Sequence, residues 1–355
     1  FFFFHADPGL RSASVPVVQS FSLPFLVLFL LFQRPFVPSF MRAGIRYPEY
    51  CMFELSAAQR RVLADIAPVY QLPVITEKQP QRLRIALLAD PQFADVSPDY
   101  GKGLYYPSAL KKLPALFAQL NAMDLDLVVT LGDIVDREWQ DYQQILPLYE
   151  KLKHPHLFIT GNHDAAVISH QLEQHSPVLP LPKHYFALQT HNYRLLALDG
   201  NDISFYATSA QPEERRQAEQ FYAALTIARE PQAQTWNGGI GQQQYLWIEQ
   251  QLTEAHRQQQ QVIVLGHFPL APAGIHRLWN GEQIADLLTR HQVVASFHGH
   301  DHRGSLDTRH KTRFVTLRGL LDGASCVPFM VADFSGQGMT LTDHQILITP
   351  DTDEI

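Results

Sequence analysis

Cysteine is almost absent from this chain: Cys51 and Cys326 are the only two in 355 residues. Two thiols so far apart make neither a disulfide framework nor a zinc knuckle. A reducing compartment is the default, and a cytoplasmic location is expected. A basic excess is missing as well. Lys and Arg number 28 against 35 Asp and Glu, a net charge of −7, without the electrostatic footprint of a nucleic-acid binder. No internal repeat or low-complexity linker follows residue 54, so one domain over residues 54–350 is the simplest organisation. Long apolar runs are scarce. The richest, Phe21 to Phe32, is short of the roughly 20 residues a membrane span needs.

That run lies in an odd leader. Phe1 to Phe4 open the chain, only Arg11 precedes the apolar stretch, and Gln33-Arg34-Pro35 follows it. A secretory signal has a basic start and a small-residue cleavage site. Residues 1–53 therefore read as a leader, disordered or a non-native start, with Met41 or Met52 as the more natural beginning. A genuine signal or anchor in residues 1–40 would instead mean export or membrane attachment.

The rest has the composition of a globular protein, 46% hydrophobic and 18% charged. Its most telling content is five short blocks, in order: Asp90-Pro91-Gln92, Gly132-Asp133-Ile134-Val135-Asp136, Gly161-Asn162-His163-Asp164, Gly266-His267-Phe268-Pro269 and Gly299-His300-Asp301-His302. Four follow a β-like apolar run, Arg84–Leu88, Leu127–Leu131, Val262–Leu265 and Val293–Phe297, and Gly161 follows Leu157–Thr160. Any one block alone is ordinary. An Asp before Pro91 starts turns, Asp136 suits a helix N-terminus, and Gly-Asn-His-Asp is a common turn. Together they place carboxylate, amide and imidazole side chains at a series of strand ends. That is the pattern of a two-metal hydrolase centre. His300 and His302 are two apart, so an extended backbone points both the same way. Asp133 has two oxygens and can bridge two cations. His163 must point away from its neighbour Asn162, which frees it for chemistry, and Asp164 is placed to orient it. The absence of Cys among these side chains argues against a purely structural zinc.

Periodicity supplies the frame. Ser56 caps a helix over Ala57–Ile66. Leu83–Leu88 is the first core strand. Helices are expected over Pro107–Leu120, Trp139–Leu152, Pro212–Ala228, Gln242–Ala255 and Glu282–Arg290. In the fourth of these, Tyr245, Leu246, Ile248 and Leu252 face inward. Tyr185–Leu188 and Tyr193–Leu198 alternate like paired strands about a turn at Thr190-His191-Asn192. Arg313–Leu317, Pro328–Asp333 and Met339–Leu347 read as antiparallel strands. Alternating strands and helices followed by an all-β end predict a layered α/β fold with facing sheets.

The five blocks resemble those of the calcineurin-like metallophosphoesterases, D-x-H/Q, G-D-x-x-D, G-N-H-D/E, G-H-x-P and G-H-x-H, over residues 83 to about 303. Within that superfamily the chain looks closest to the manganese-dependent ADP-ribose/CDP-alcohol diphosphatases. The stretches that carry this are Ala89–Asp95, Leu198–Ser204 and Trp236-Asn237-Gly238-Gly239-Ile240 running into Gln243, Leu246 and Trp247. Gln92, where most of the superfamily has His, is typical of that subgroup. The resemblance implies an αββα sandwich of two facing mixed sheets flanked by helices. It implies two divalent cations, one on Asp90, Gln92, Asp133 and His302 and the other on Asp133, Asn162, His267 and His300. His163 would protonate the leaving oxygen. Gln92 makes its position harder and weaker, which favours Mn²⁺ or Mg²⁺ over Fe or Zn. The expected partner is a small nucleotide, with Phe93, Tyr100, Tyr105, Trp236 and Asn237 as candidate substrate contacts. The loop Ser97–Gly103 and the stretch Arg318-Gly319-Leu320 depart from the subgroup pattern, which leaves another phosphodiester or a phosphomonoester as an alternative substrate. A non-catalytic scaffold is the remaining reading, and the full set of ligand types argues against it.

Overall fold

Strand alternation separates two cores. The computed structural model describes residues 69–71, 81–174, 185–207, 212–336 and 338–349, all within the unit Ala67–Ile355. In β2 (Leu83–Leu88), Leu83, Ile85 and Leu87 enter one apolar cluster while Ala86 and Leu88 enter another. Successive strand side chains point to opposite faces, so a strand buried on both sides reads as a continuous apolar run.

Two mixed sheets result. The smaller has the order β12-β11-β2-β3-β4, with β3 at Leu127–Thr130, β4 at His156–Phe158, β11 at Cys326–Ser335 and β12 at Gly338–Leu347. The larger runs β1-β5-β6-β7-β8-β10-β9. Its strands are β1 Val69–Gln71, β5 Phe186–Gln189, β6 Tyr193–Ala197, β7 Gln261–Leu265, β8 Ala295–His298, β9 Arg303–Arg309 and β10 Thr312–Arg318. The central strands are parallel: β2 with β3, β3 with β4, β6 with β7, and β7 with β8. The inter-sheet core joins Ile85, Leu87 and Val129 of one sheet to Ile263, Leu265, Phe297 and Val315 of the other. Helices cover the outer faces. In α1 (Ala109–Asn121), Leu113, Leu116, Phe117 and Leu120 are buried, the spacing of one helical face. They pack with Tyr142 and Ile145 of α2 (Asp141–Tyr149) over the outer face of β2 and β3. The helix α5 (Gln242–Arg257) lies on β6 and β7. Between these, α3 spans Asn162–Gln174, α4 Pro212–Ile227, and α6 Gly281–Arg290.

The sequence expectations hold for this architecture and fail in specific places. The helix expected from Pro107 begins as a 3₁₀ turn, Tyr106–Ser108, before α1. In α5, Tyr245, Ile248 and Leu252 are buried as expected, but Trp247 is buried and Leu246 is not. Arg313–Leu317 was expected in an antiparallel group, yet β10 is antiparallel to β9 and parallel to β8. The strand β9 was missed because its residues are polar and its burial alternates only between exposed and half-buried. The helix α3 was missed because its first turn is the Gly-Asn-His-Asp block itself. The expected helix Ala57–Ile66 and the leader fall outside the described residues.

The inter-sheet core makes a stability prediction. Phe297 is fully buried, whereas Leu306 on the β9 edge is 64% exposed. Phe297→Ala is expected to cost about 3–5 kcal/mol, and Leu306→Ala less than about 0.5 kcal/mol. Urea unfolding of both variants checks this; equal losses would contradict the assigned core.

Candidate metal centre

The loops that leave β2, β3, β4, β7 and β8 at their carboxyl ends meet, the usual place for a site in an α/β sheet. Each carries one of the five blocks. Asp90, Gln92, Asp133 and His300 have positive φ angles of 54°, 46°, 52° and 66°. Non-glycine residues rarely adopt this conformation, and backbone strain of this kind clusters at functional sites. Gly132 shows why the second block needs glycine: its φ is 93°, and a Cβ there would meet the backbone nitrogen of Gly161 at 2.8 Å.

Around His267 several lone-pair donors converge. His267 Nδ1 lies 2.8 Å from the carbonyl oxygen of Leu131, so the neutral ring carries its proton there and leaves Nε2 free to bind a cation. That Nε2 faces Asn162 Oδ1 at 3.0 Å, His300 Nδ1 at 3.2 Å and Asp133 Oδ2 at 3.3 Å. His300 Nε2 lies 2.9 Å from Asn237 Oδ1, so its proton is there and its Nδ1 is free as well. Asp133, His267 and His300 each offer an atom within 4.8 Å of the others. Four such atoms turned on one another, all buried, need a positive charge among them, either a proton on His267 Nε2 or a bound cation. The donor set therefore fits a metal ion.

A second group adjoins it through Asp90. His302 Nε2 is 3.8 Å from Asp90 Oδ1, and His302 Nδ1 is 2.8 Å from Asp322 Oδ2. The Asp90 carboxylate also accepts from the backbone N–H of His300 at 3.0 Å. Gln92 donates its backbone N–H to the carbonyl oxygen of Asp133, while its side-chain Oε1 is buried with no hydrogen-bond partner. An orphaned buried carbonyl oxygen is costly, and a cation would satisfy it. Without a cation, burial disfavours charge on His267 and His302. The neighbouring carboxylates, Asp133 and Asp90 respectively, outweigh burial and raise both imidazoles to about 9. Burial is the main reason His300 falls well below the ordinary histidine value.

His163 sits at the rim, its side chain 35% exposed. Its Nδ1 is 2.8 Å from the carbonyl oxygen of Asp136 and 3.2 Å from Asp136 Oδ1, which turns Nε2 away from Asp136. Here the structure corrects the sequence reading: Asp136, not Asp164, orients this imidazole. Asp136 also pairs with Arg137 Nε at 2.5 Å. Asp164 is fully buried and accepts from the backbone N–H groups of Ile134 and Gly161 and from the Tyr142 hydroxyl at 2.7 Å. It ties the second block to the third. Burial, then the charge of Asp133, raises it to about 6.

The candidate substrate contacts divide. Tyr100 and Trp236 are 58% and 43% exposed, and Tyr105 stands edge-on to Tyr100. Phe93 is 1% exposed inside the outer core and offers no open face. Asn237 is wholly buried, and its amide nitrogen donates to the carbonyl oxygens of Gln232 and Ile275. It supports His300 rather than facing a ligand. Two of the three stretches of the subgroup resemblance meet to deliver it: Ile203 and Gly239 exchange backbone hydrogen bonds at 2.9 and 2.8 Å. His276, whose ring centroid is 5.2 Å from that of His300 and whose Nδ1 is buried without a partner, belongs to none of the five blocks and was missed.

Two facing mixed sheets with acid, amide and imidazole groups gathered at their strand ends define a metal-dependent phosphoesterase. The sequence model of calcineurin-like phosphoesterases matches residues 83–304, and the chain belongs to that family. It is 28% identical over 254 residues to the manganese-dependent ADP-ribose/CDP-alcohol diphosphatase of Arabidopsis thaliana, covering 61% of this chain and 79% of that protein. To the Homo sapiens protein of the same name it is 22% identical over 301 residues, covering 70% and 86%. A solved dimetal phosphatase from Danio rerio aligns with a TM-score of 0.64 at 21% identity, covering 75% of this chain and 99% of that one, a likeness of fold. Among the described residues, no helix is long and apolar enough to cross a membrane.

Proposed function

We propose that the chain is a dinuclear-metal phosphohydrolase that cleaves the pyrophosphate bond of nucleoside diphosphate compounds such as ADP-ribose and CDP-alcohols. The observation that carries this reading is the convergence of Asn162 Oδ1, His300 Nδ1 and Asp133 Oδ2 on His267 Nε2, at 3.0 to 3.3 Å. Names and identities of the relatives support the substrate class. In this reading Asp90, Gln92, Asp133 and His302 hold one cation, and Asp133, Asn162, His267 and His300 the other. Carboxylate, amide and imidazole donors without thiolate suit Mn²⁺, which we take as the working metal, with Mg²⁺, Fe or Zn satisfying the same donor types. When bound, such a pair of cations supplies Lewis acidity toward phosphoryl oxygens and acidifies water.

The chain's own residues do the rest. Water adds to one phosphorus and the bridging P–O bond breaks toward the other. His163, its Nδ1 engaged by Asp136, directs Nε2 to carry a proton to the departing oxygen. Tyr100, Tyr105 and Trp236 offer aromatic faces for the nucleoside. Hydrolysis of a nucleotide panel with Mn²⁺, read by product, tests the assignment. ADP-ribose is expected to give AMP and ribose 5-phosphate, with activity lost on chelation and restored by Mn²⁺. Release of inorganic phosphate from monoesters, with ADP-ribose left intact, would overturn it.

A further inference from the structure

We propose that Asp322 is a positioning residue for His302, holding that imidazole with Nε2 turned toward Asp90 and thereby setting the affinity of one cation position and not the other. The inference rests on the two-cation reading above. Asp322 Oδ2 lies 2.8 Å from His302 Nδ1 and has no other hydrogen-bond partner, though the side chain is 44% exposed. One carboxylate oxygen thus faces the ring and the residue stays solvated.

The segment that carries Asp322 is built to hold it there. Gly319 N–H donates to the carbonyl oxygen of His302, Leu320 N–H to that of Ala89, and Leu321 N–H to that of Asp90, at 2.9 to 3.0 Å. From below, Lys112 of α1, with no exposed surface, donates its ammonium to the carbonyl oxygens of Leu320 and Gly323 at 2.5 and 2.6 Å. From the other side, Gly323 N–H reaches the carbonyl oxygen of Gly103, and Tyr105 N–H that of Leu321. A Cβ on Gly319 would meet His302 Cγ at 2.7 Å and Asp322 Oδ2 at 3.1 Å. No side chain can stand between the carboxylate and the ring.

The other two imidazoles have neutral nearest partners at the corresponding nitrogen, the carbonyl oxygen of Leu131 for His267 and the Asn237 amide for His300. Of the three, His302 has a carboxylate at hydrogen-bond distance there, at 2.8 Å against 3.9 Å from His267 Nδ1 to Asp90 Oδ1, and it is the histidine grouped with the neutral ligand Gln92. A carboxylate behind an imidazole makes it a stronger ligand, and losing such a partner costs about 10–100-fold in metal affinity. Asp322 offsets the weakness that Gln92 introduces.

Equilibrium dialysis of the full chain against Mn²⁺, with free and bound metal counted by electron paramagnetic resonance, tests this. The wild type is expected to bind two ions per chain. Asp322→Asn should keep one at unchanged affinity and bind the other about 10–100-fold more weakly, with an unchanged melting temperature before metal is added. Asp322→Glu, which keeps the charge, should recover most of the loss. Two ions bound by Asp322→Asn at wild-type affinity, or both weakened alike, would overturn the proposal while leaving the two-cation reading intact. A wild type that binds fewer than two ions would sink that reading and this inference with it.

Discussion

Asp133→Ala is expected to remove turnover almost completely, by about 10³-fold or more, at any Mn²⁺ concentration. Both Asp133 oxygens are committed: Oδ1 accepts from the His163 backbone N–H at 2.9 Å, and Oδ2 faces His267 Nε2 at 3.3 Å. Burial opposes its charge, but the imidazoles of His267 and His163 outweigh burial and hold the carboxyl below its ordinary range. It is the one carboxylate assigned to both cations. Its loss forfeits several kcal/mol of charge stabilisation in the transition state, and each 1.4 kcal/mol is about tenfold in rate. Gln92→Ala removes one neutral dipole from one position and should lose far less, most of it regained at saturating Mn²⁺. Steady-state rates for both variants across a Mn²⁺ titration decide the matter. Equal losses at saturation would contradict the bridging role.

His163→Ala is expected to lower turnover on ADP-ribose by about 10²–10⁴-fold, the usual worth of a placed general acid, with metal content unchanged. The backbone N–H that His163 gives to Asp133 survives the substitution, so the metal-facing carboxylate keeps that bond. A substrate with a good leaving group needs little protonation. On a nitrophenyl ester the loss should therefore shrink. The check is turnover on both substrates with bound metal quantified alongside. A variant that loses metal, or that is impaired equally on both, would make His163 a ligand or a structural residue instead.

The sequence shows the five blocks clearly for a physical reason. Metal chemistry restricts residue types, and strand ends restrict position, so Asp133 and His267 announce themselves without any knowledge of their contacts. Strands buried on both faces, such as Leu83–Leu88, are equally plain, since the inter-sheet and outer cores both need apolar side chains. The fold was illegible where polarity hid it. In β9, Arg303–Arg309 pairs with β10 while exposing Arg303, Leu306 and Thr308, and no periodic apolar signal marks it. Helices α1 and α2 continue through Pro114 and Pro147, so proline did not mark their ends.

Around the site, the limit was distance in sequence. Asn237 and His300 are 63 residues apart, and Leu131 acts on His267 through a backbone carbonyl that any residue could provide. Neither pairing leaves a mark in the chain. The sequence reading assigned Asp164 as partner of His163, and it missed for a related reason. Once α3 begins at Asn162, Asp164 turns back onto the N–H groups of Gly161 and Ile134, and Asp136 takes the imidazole. Burial alone moved Phe93 and Asn237 from candidate substrate contacts to supports. Exposure cannot be read from residue type when both aromatic and amide side chains serve either role.

The two-cation centre is tested most directly by a crystal grown with Mn²⁺ and an anomalous difference map recorded at the manganese edge. The account predicts two peaks, one in contact with Asp133, Asn162, His267 and His300, the other with Asp90, Gln92, Asp133 and His302. A single peak, or two that do not share Asp133, would contradict it.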